Sequence, residues 1–123
     1  MLIRNIETTE KSLVAMDGAS GVTMAVLVGR GDGAPTFAMR AFEVEPGGHT
    51  PRHSHDYEHE VMVTGGAGTV LLEGAERPIT SGDVIYVPAD EEHQFKQSGS
   101  EPLKFVCLVP VERNCGEPTP GSE

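Results

Sequence analysis

Short apolar runs, each cut off by glycine or proline, recur along the chain from Val22 onward. Val22 to Val28 is rich in β-branched residues and stops at Gly29, and Thr36 to Val44 is closed by Glu45-Pro46-Gly47-Gly48. Val61 to Thr64 ends at Gly65-Gly66, Thr69 to Glu73 turns at Gly74-Ala75, and Arg77 to Thr80 leads into Ser81-Gly82-Asp83. Val84 to Val87 ends at Pro88, His93 to Gln97 meets the turn from Ser98 to Pro102, and Leu103 to Val109 ends at Pro110. Leu13 to Ala15 adds a short run near the start. Runs of this length and composition, bounded by turn residues, read as strands. About nine are expected, and no ten-residue helical period lies between Val22 and Pro110. Turn signals every eight to twelve residues point to an all-β sandwich or barrel.

Composition narrows the function classes. At 123 residues one domain is expected. Lys and Arg number 9 against 19 Asp and Glu, a formal charge of −10. That balance argues against nucleic acid and against an anionic membrane surface, which both reward basic residues. No run approaches the roughly 18 apolar residues of a membrane span. Met1 to Glu10 holds no apolar block behind a basic start, so no secretory signal is expected. A disulfide between Cys107 and Cys115 would close only a tiny loop, so no disulfide framework supports the fold and a cytoplasmic setting is the expectation. Residues 1–21 read as an N-terminal segment, with a strand packing on a dimer partner as its candidate role. Residues 22–111 read as the barrel and 112–123 as a flexible tail.

The histidines carry the chemistry. All five lie between positions 49 and 93, and three stand in His53-Ser54-His55-Asp56-Tyr57-Glu58-His59-Glu60. On a strand His53 and His55 share a side, so both imidazoles can grip one metal ion. A lone histidine is more often a solvated surface group, but three within seven residues between apolar strands favour a site. His55 to His59 also fits the inverted zinc-peptidase pattern H-x-x-E-H. That chemistry needs a helix, and Pro51 with Val61 to Gly66 favours strand and turn instead. Gly65 to Gly68 lacks a following Lys-Ser/Thr and is a turn, not a phosphate loop.

Two spaced motifs give the chain a family resemblance. Gly47, five residues, His53-x-His55, then His59 and Gly66 follow the first cupin motif, G-x5-H-x-H-x3,4-E-x6-G, with His59 in the glutamate slot. Gly82, Pro88 and His93 follow the second, G-x5-P-x-G-x2-H-x3-N, with Asp90 in place of its second glycine and Gln97 in place of its asparagine. The chain therefore resembles a small single-domain cupin of the four-histidine subgroup. The resemblance implies a double-stranded β-helix, a jelly-roll barrel that holds a divalent metal ion inside one end. It implies His53, His55, His59 and His93 as ligands, with Mn, Fe, Ni, Cu or Zn all open. Single cupin barrels commonly pair, so a homodimer is expected, with Val22 to Val28 as a candidate interface strand.

Four neutral imidazoles leave a divalent ion its full charge, so an anionic ligand is expected. Two open positions on an octahedral ion would suit a bidentate oxygen ligand. The implied function is chemistry of the dioxygenase or decarboxylase type on a small anionic or enolisable molecule. The alternatives are a non-catalytic metal or small-ligand binder and a sugar-acid isomerase or lyase. Glu58, Glu60 and Cys107 are the weaker catalytic candidates: either glutamate as a base or as an orienter of a ligand histidine, and Cys107 on the inward side of the last strand with Phe105 and Val109. The bland readings are two solvated glutamates and a small buried apolar cysteine. His49 reads as a rim residue, and Tyr86 as packing.

Overall fold

The computed structural model describes residues 1–113. Nine strands follow one another: β1 (Ser12–Leu13), β2 (Ser20–Val28), β3 (Phe37–His49), β4 (His59–Gly65), β5 (Ala67–Leu72), β6 (Ala75–Thr80), β7 (Val84–Val87), β8 (His93–Ser98) and β9 (Leu103–Pro110). The helical turns among the described residues are Arg30–Asp32 and Val111–Arg113, and no helix there is long and apolar enough to cross a membrane. The flexible tail expected over 112–123 and the cysteine at Cys115 fall, beyond that last short turn, outside the described residues.

All pairings are antiparallel, in the order β6-β5-β8-β3-β9-β4-β7, with β2 on β3 and β1 on β2. The sheet is a curled jelly-roll barrel, as expected. Alternation explains the curl. On β9, Leu103, Phe105, Cys107 and Val109 are buried; on β4, His59, Val61 and Val63; on β7, Ile85 and Val87. These strands turn every second side chain into one shared interior. Its floor is aromatic, with Phe105 stacked on Phe42 at 5.1 Å and on Phe95 at 4.8 Å. Pro78 is tolerated because β6 lies at the end of the sheet order, where a missing N–H breaks no inner ladder.

Three local readings change. β3 does not close at Val44 but runs on to His49. Its register against β2 jumps from Val22↔Val44 to Ser20↔His49, so the Glu45 to Gly48 stretch bulges out and His49 goes on to pair with Lys96 of β8. The β5–β6 turn is Glu73-Gly74 rather than Gly74-Ala75. Both turn residues have positive φ, 51° and 78°, the backbone that a two-residue hairpin with right-handed strand twist requires. Gly66 is more than a turn residue: at φ 72° a Cβ there would stand 2.0 Å from the Pro102 carbonyl oxygen.

The N-terminal segment is held by its own chain. β1 pairs with β2, Val14 N donates to Val22 O at 2.8 Å, and Arg4 reaches Leu27 O and Asp32. Val22 and Ala25 are buried within the chain, whereas Phe37, Met62, Val84 and Tyr86 are among the exposed apolar side chains of other strands.

Candidate metal centre

Backbone bonds bring distant histidines together. After β3 the chain lies along β8: Thr50 N donates to Phe95 O at 2.9 Å, His53 N to His93 O at 3.1 Å, and His93 N to His53 O at 2.9 Å. This reciprocal pair clamps His53 onto His93, forty residues on. Asp90 N then donates to His55 O at 2.6 Å, which ties the second imidazole to the β7–β8 turn. His53 is a single bridge residue, so the expected strand through His53 and His55 is an extended loop that keeps the two-residue alternation. His59 opens β4 and faces Val87 at the end of β7.

Nitrogen atoms of His53, His55 and His93 all lie within 4.8 Å of one another. Their ring centroids stand 4.9 to 5.0 Å apart, and His59 lies 4.5 Å from His55 and 5.3 Å from His93. Tautomers follow from the partners. Nδ1 of His93 faces Glu91 O at 2.9 Å and Nδ1 of His55 faces Tyr57 O at 3.3 Å. A carbonyl only accepts, so both Nδ1 atoms carry the proton and both Nε2 atoms keep a lone pair for a metal ion. His59 differs. Its Nε2 lies 2.8 Å from His55 Nε2 and donates to it, while its Nδ1 accepts from the Cys107 thiol at 2.9 Å. To ligate, His59 must carry its proton on Nδ1 instead, facing the sulfur. The structure thus forms a group of three imidazoles, with the fourth hydrogen-bonded beside it.

Burial keeps these rings neutral, as ligation requires. Desolvation, then the charges of His93 and Arg40, hold the His53 imidazolium below its ordinary range. Desolvation, His93 and His53 bring His55 down to about 4. Desolvation, with Arg40 next, brings His59 to about 2. His93 is lowered by desolvation against a smaller upward pull from the Glu91 carbonyl. The donor set suits a divalent transition metal: neutral nitrogens, pre-oriented by carbonyls, in a group wide enough to surround one ion.

The other candidates stand at different places around the group. Glu58 and Glu60 are exposed, and a hydrogen bond that the protonated Glu60 carboxyl donates to Glu58 raises Glu60 above its usual range. Cys107 is buried against His59. His49 is half-buried, with Nδ1 against Thr50 O at 3.3 Å, and stands outside the group. Tyr86 is exposed on the outer face of β7 rather than packed inside. Two residues that the sequence pattern does not single out also adjoin the site. Tyr57 stacks on His55 at 4.0 Å, and its place two residues along an extended run was the available signal. Arg40 on β3 is buried at 9% exposure, with Nη2 3.2 Å from Cys107 Sγ and 3.5 Å from His59 Nδ1. Its signal was an inward register shared with Ala38, Phe42 and Val44.

The family described as Cupin domain (Cupin_2) matches residues 40–109, which span both histidine segments. The chain belongs to the cupin family. Among curated relatives, 1-methylthio-D-xylulose 5-phosphate methylsulfurylase of Rhodospirillum rubrum is 37% identical over 79 residues, covering 64% of this chain and 51% of its own length. Auxin-binding protein 1 of Arabidopsis thaliana is 28% identical over 117 residues, covering 88% and 58%. The chain thus spans little more than half the length of these relatives. Among solved structures, the polyketide cyclase RemF from Streptomyces resistomycificus matches with a TM-score of 0.85 at 30% identity, covering 90% of this cupin and 80% of that chain.

Proposed function

We propose that this cupin is metal-dependent and acts on a small anionic or enolisable organic molecule at a centre formed by His53, His55, His59 and His93, with chemistry of the dioxygenase or decarboxylase type. The observation that carries the reading is the group of three imidazoles within 4.8 Å, neutral by burial, with a fourth at hydrogen-bond distance. A bound divalent ion would act as a Lewis acid on a substrate oxygen. Because no ligand in the set is anionic, the ion keeps its full charge and favours an oxyanion. The methylsulfurylase relative, named for a xylulose 5-phosphate, supports an anionic substrate. Imidazole donors leave Mn, Fe, Ni, Cu and Zn open.

Elemental analysis of protein purified without added metal tests the centre. About one ion per chain is expected, lost in His93→Ala. A content in the wild type no higher than in that variant sinks the reading. A substrate screen under air and under nitrogen then separates oxygenase from decarboxylase chemistry. Likeness to Auxin-binding protein 1 favours the second reading, a non-catalytic binder. That reading gains if small acids bind the metal-loaded protein and none is turned over.

A further inference from the structure

The barrel interior holds a charge that nothing in the proposed metal chemistry uses. Arg40 lies in the middle of β3, opposite Cys107 of β9, and turns inward beneath the histidines. Its guanidinium carbon stands 5.0 Å over the Phe42 ring. Among the described residues Nη2 meets the Cys107 sulfur and the His59 ring, and the buried Nε has no hydrogen-bond partner. The ion pairs among the described residues are Arg4–Asp32, Lys11–Glu43, Arg52–Glu92 and Lys96–Glu76, so Arg40 has no carboxylate partner there. An unpaired buried charge is costly, and proteins compensate it with a counter-charge and hydrogen bonds. The imidazoles near it are neutral, and a divalent ion would add positive charge to the same interior. The deficit is one of negative charge close to the imidazoles, met by an anion with acceptor oxygens.

We propose that Arg40 is the anion-binding residue of this barrel, and that its guanidinium takes the carboxylate of a small organic acid whose remainder faces the imidazole group. The assignment deepens the metal-dependent reading and rests on it for the orientation of the substrate. A guanidinium offers a planar fork that a carboxylate meets with two parallel bonds. The cover over Arg40, with the Phe42 face beneath and His59 and Cys107 at one edge, favours a flat two-oxygen group over a tetrahedral phosphate. The contact of Nη2 with His59 Nδ1 sets the anion next to the imidazole whose Nε2 borders the group of three.

Nitrogen-15 NMR of the Arg40 Nε–H signal reads the contact directly in the wild type, so the test stands even where a variant fails to fold. Pyruvate and inorganic phosphate are titrated into metal-free and zinc-loaded full-length protein. Pyruvate should move the Nε–H signal to saturation and bind more tightly than phosphate. Arg40→Met should weaken pyruvate binding by roughly ten- to a hundredfold, the usual weight of a charged hydrogen bond. Arg40→Lys should recover part of the loss. A signal that pyruvate leaves unmoved, or pyruvate binding within twofold of wild type in Arg40→Met, overturns the assignment. Tighter binding of phosphate overturns the carboxylate class. Failure of the wild type to hold zinc would sink the metal-dependent reading alone, because pyruvate binding to the metal-free protein still reports on Arg40.

Discussion

Phe105→Ala is the sharpest test of how the barrel supports its site. The ring is 3% exposed on β9, which runs between β3 and β4. It stacks on Phe42 with an interplanar angle of 18° and on Phe95 with 25°. Truncation of a buried phenylalanine costs about 3–5 kcal/mol, a transfer part plus a part for the void. Here both stacking partners lose a neighbour, each pair worth roughly 0.5–1.5 kcal/mol beyond area burial. Strands on both sides hold β9 by hydrogen bonds, so the walls cannot close on the void, and the expected loss is about 4 kcal/mol. At about 2.1 cal/mol/K of unfolding entropy per residue, a chain of 123 residues should melt roughly 15 °C lower. Urea unfolding followed by circular dichroism should show a lower midpoint at an unchanged slope, and calorimetry should show the drop in Tm. Phe105→Leu, which keeps much of the volume, should lose only about 1–2 kcal/mol. A loss below about 2 kcal/mol for Phe105→Ala would mean that the three rings do not form an enclosed stack.

Two further outcomes follow from the local geometry. His53, His55, His59 and His93 all bind protons less readily in the folded chain than the ordinary value near 6.5, with His55 at about 4. Between those values the unfolded chain holds more protons, so stability is retained above about pH 6.5 and falls as the pH drops toward 4. Urea midpoints from pH 8 to pH 4.5 should decline through that window for the metal-free protein, and a rise on acidification would contradict the assigned neutrality. Asp90 occupies the left-handed region at φ 68°, where the second cupin motif carries glycine. Asp90→Gly relieves strain at some cost in unfolded-chain entropy and should stabilise the protein by up to about 1 kcal/mol in thermal unfolding. A loss of stability would show that the aspartate side chain is needed there.

The strands could be read from the chain because each satisfies two conditions at once: an apolar inward register and a turn residue at its end. Leu103, Phe105, Cys107 and Val109 alternate with partly exposed neighbours, and Pro102 stands just before that run. β3 broke the rule, since Pro46, Gly47 and Gly48 look like a terminus. Gln97 explains why the strand goes on: its Oε1 accepts from Gly47 N at 3.0 Å, and its Nε2 donates to Gly99 O and Glu101 O. One side chain pins the bulge to the β8–β9 turn. Such a long-range tie between a glutamine and three backbone groups leaves no local pattern.

The histidine site divides along the same line. Residue types and spacing showed which imidazoles could act, because three within seven residues are rare by chance. What drew His53 to His93 was a pair of backbone bonds, and backbone bonds are blind to residue type. The three-plus-one division of the site likewise depends on acceptors chosen by folding: two carbonyls for His93 and His55, and a sulfur for His59. Arg40 was hidden for the opposite reason. A basic residue in a strand reads as a solvated face unless its register is known, and that register was fixed by pairing with Cys107 sixty-seven residues away. The cysteine and the arginine each look ordinary alone. Placed side by side behind His59, they set both the tautomer of that ring and the charge of the barrel interior.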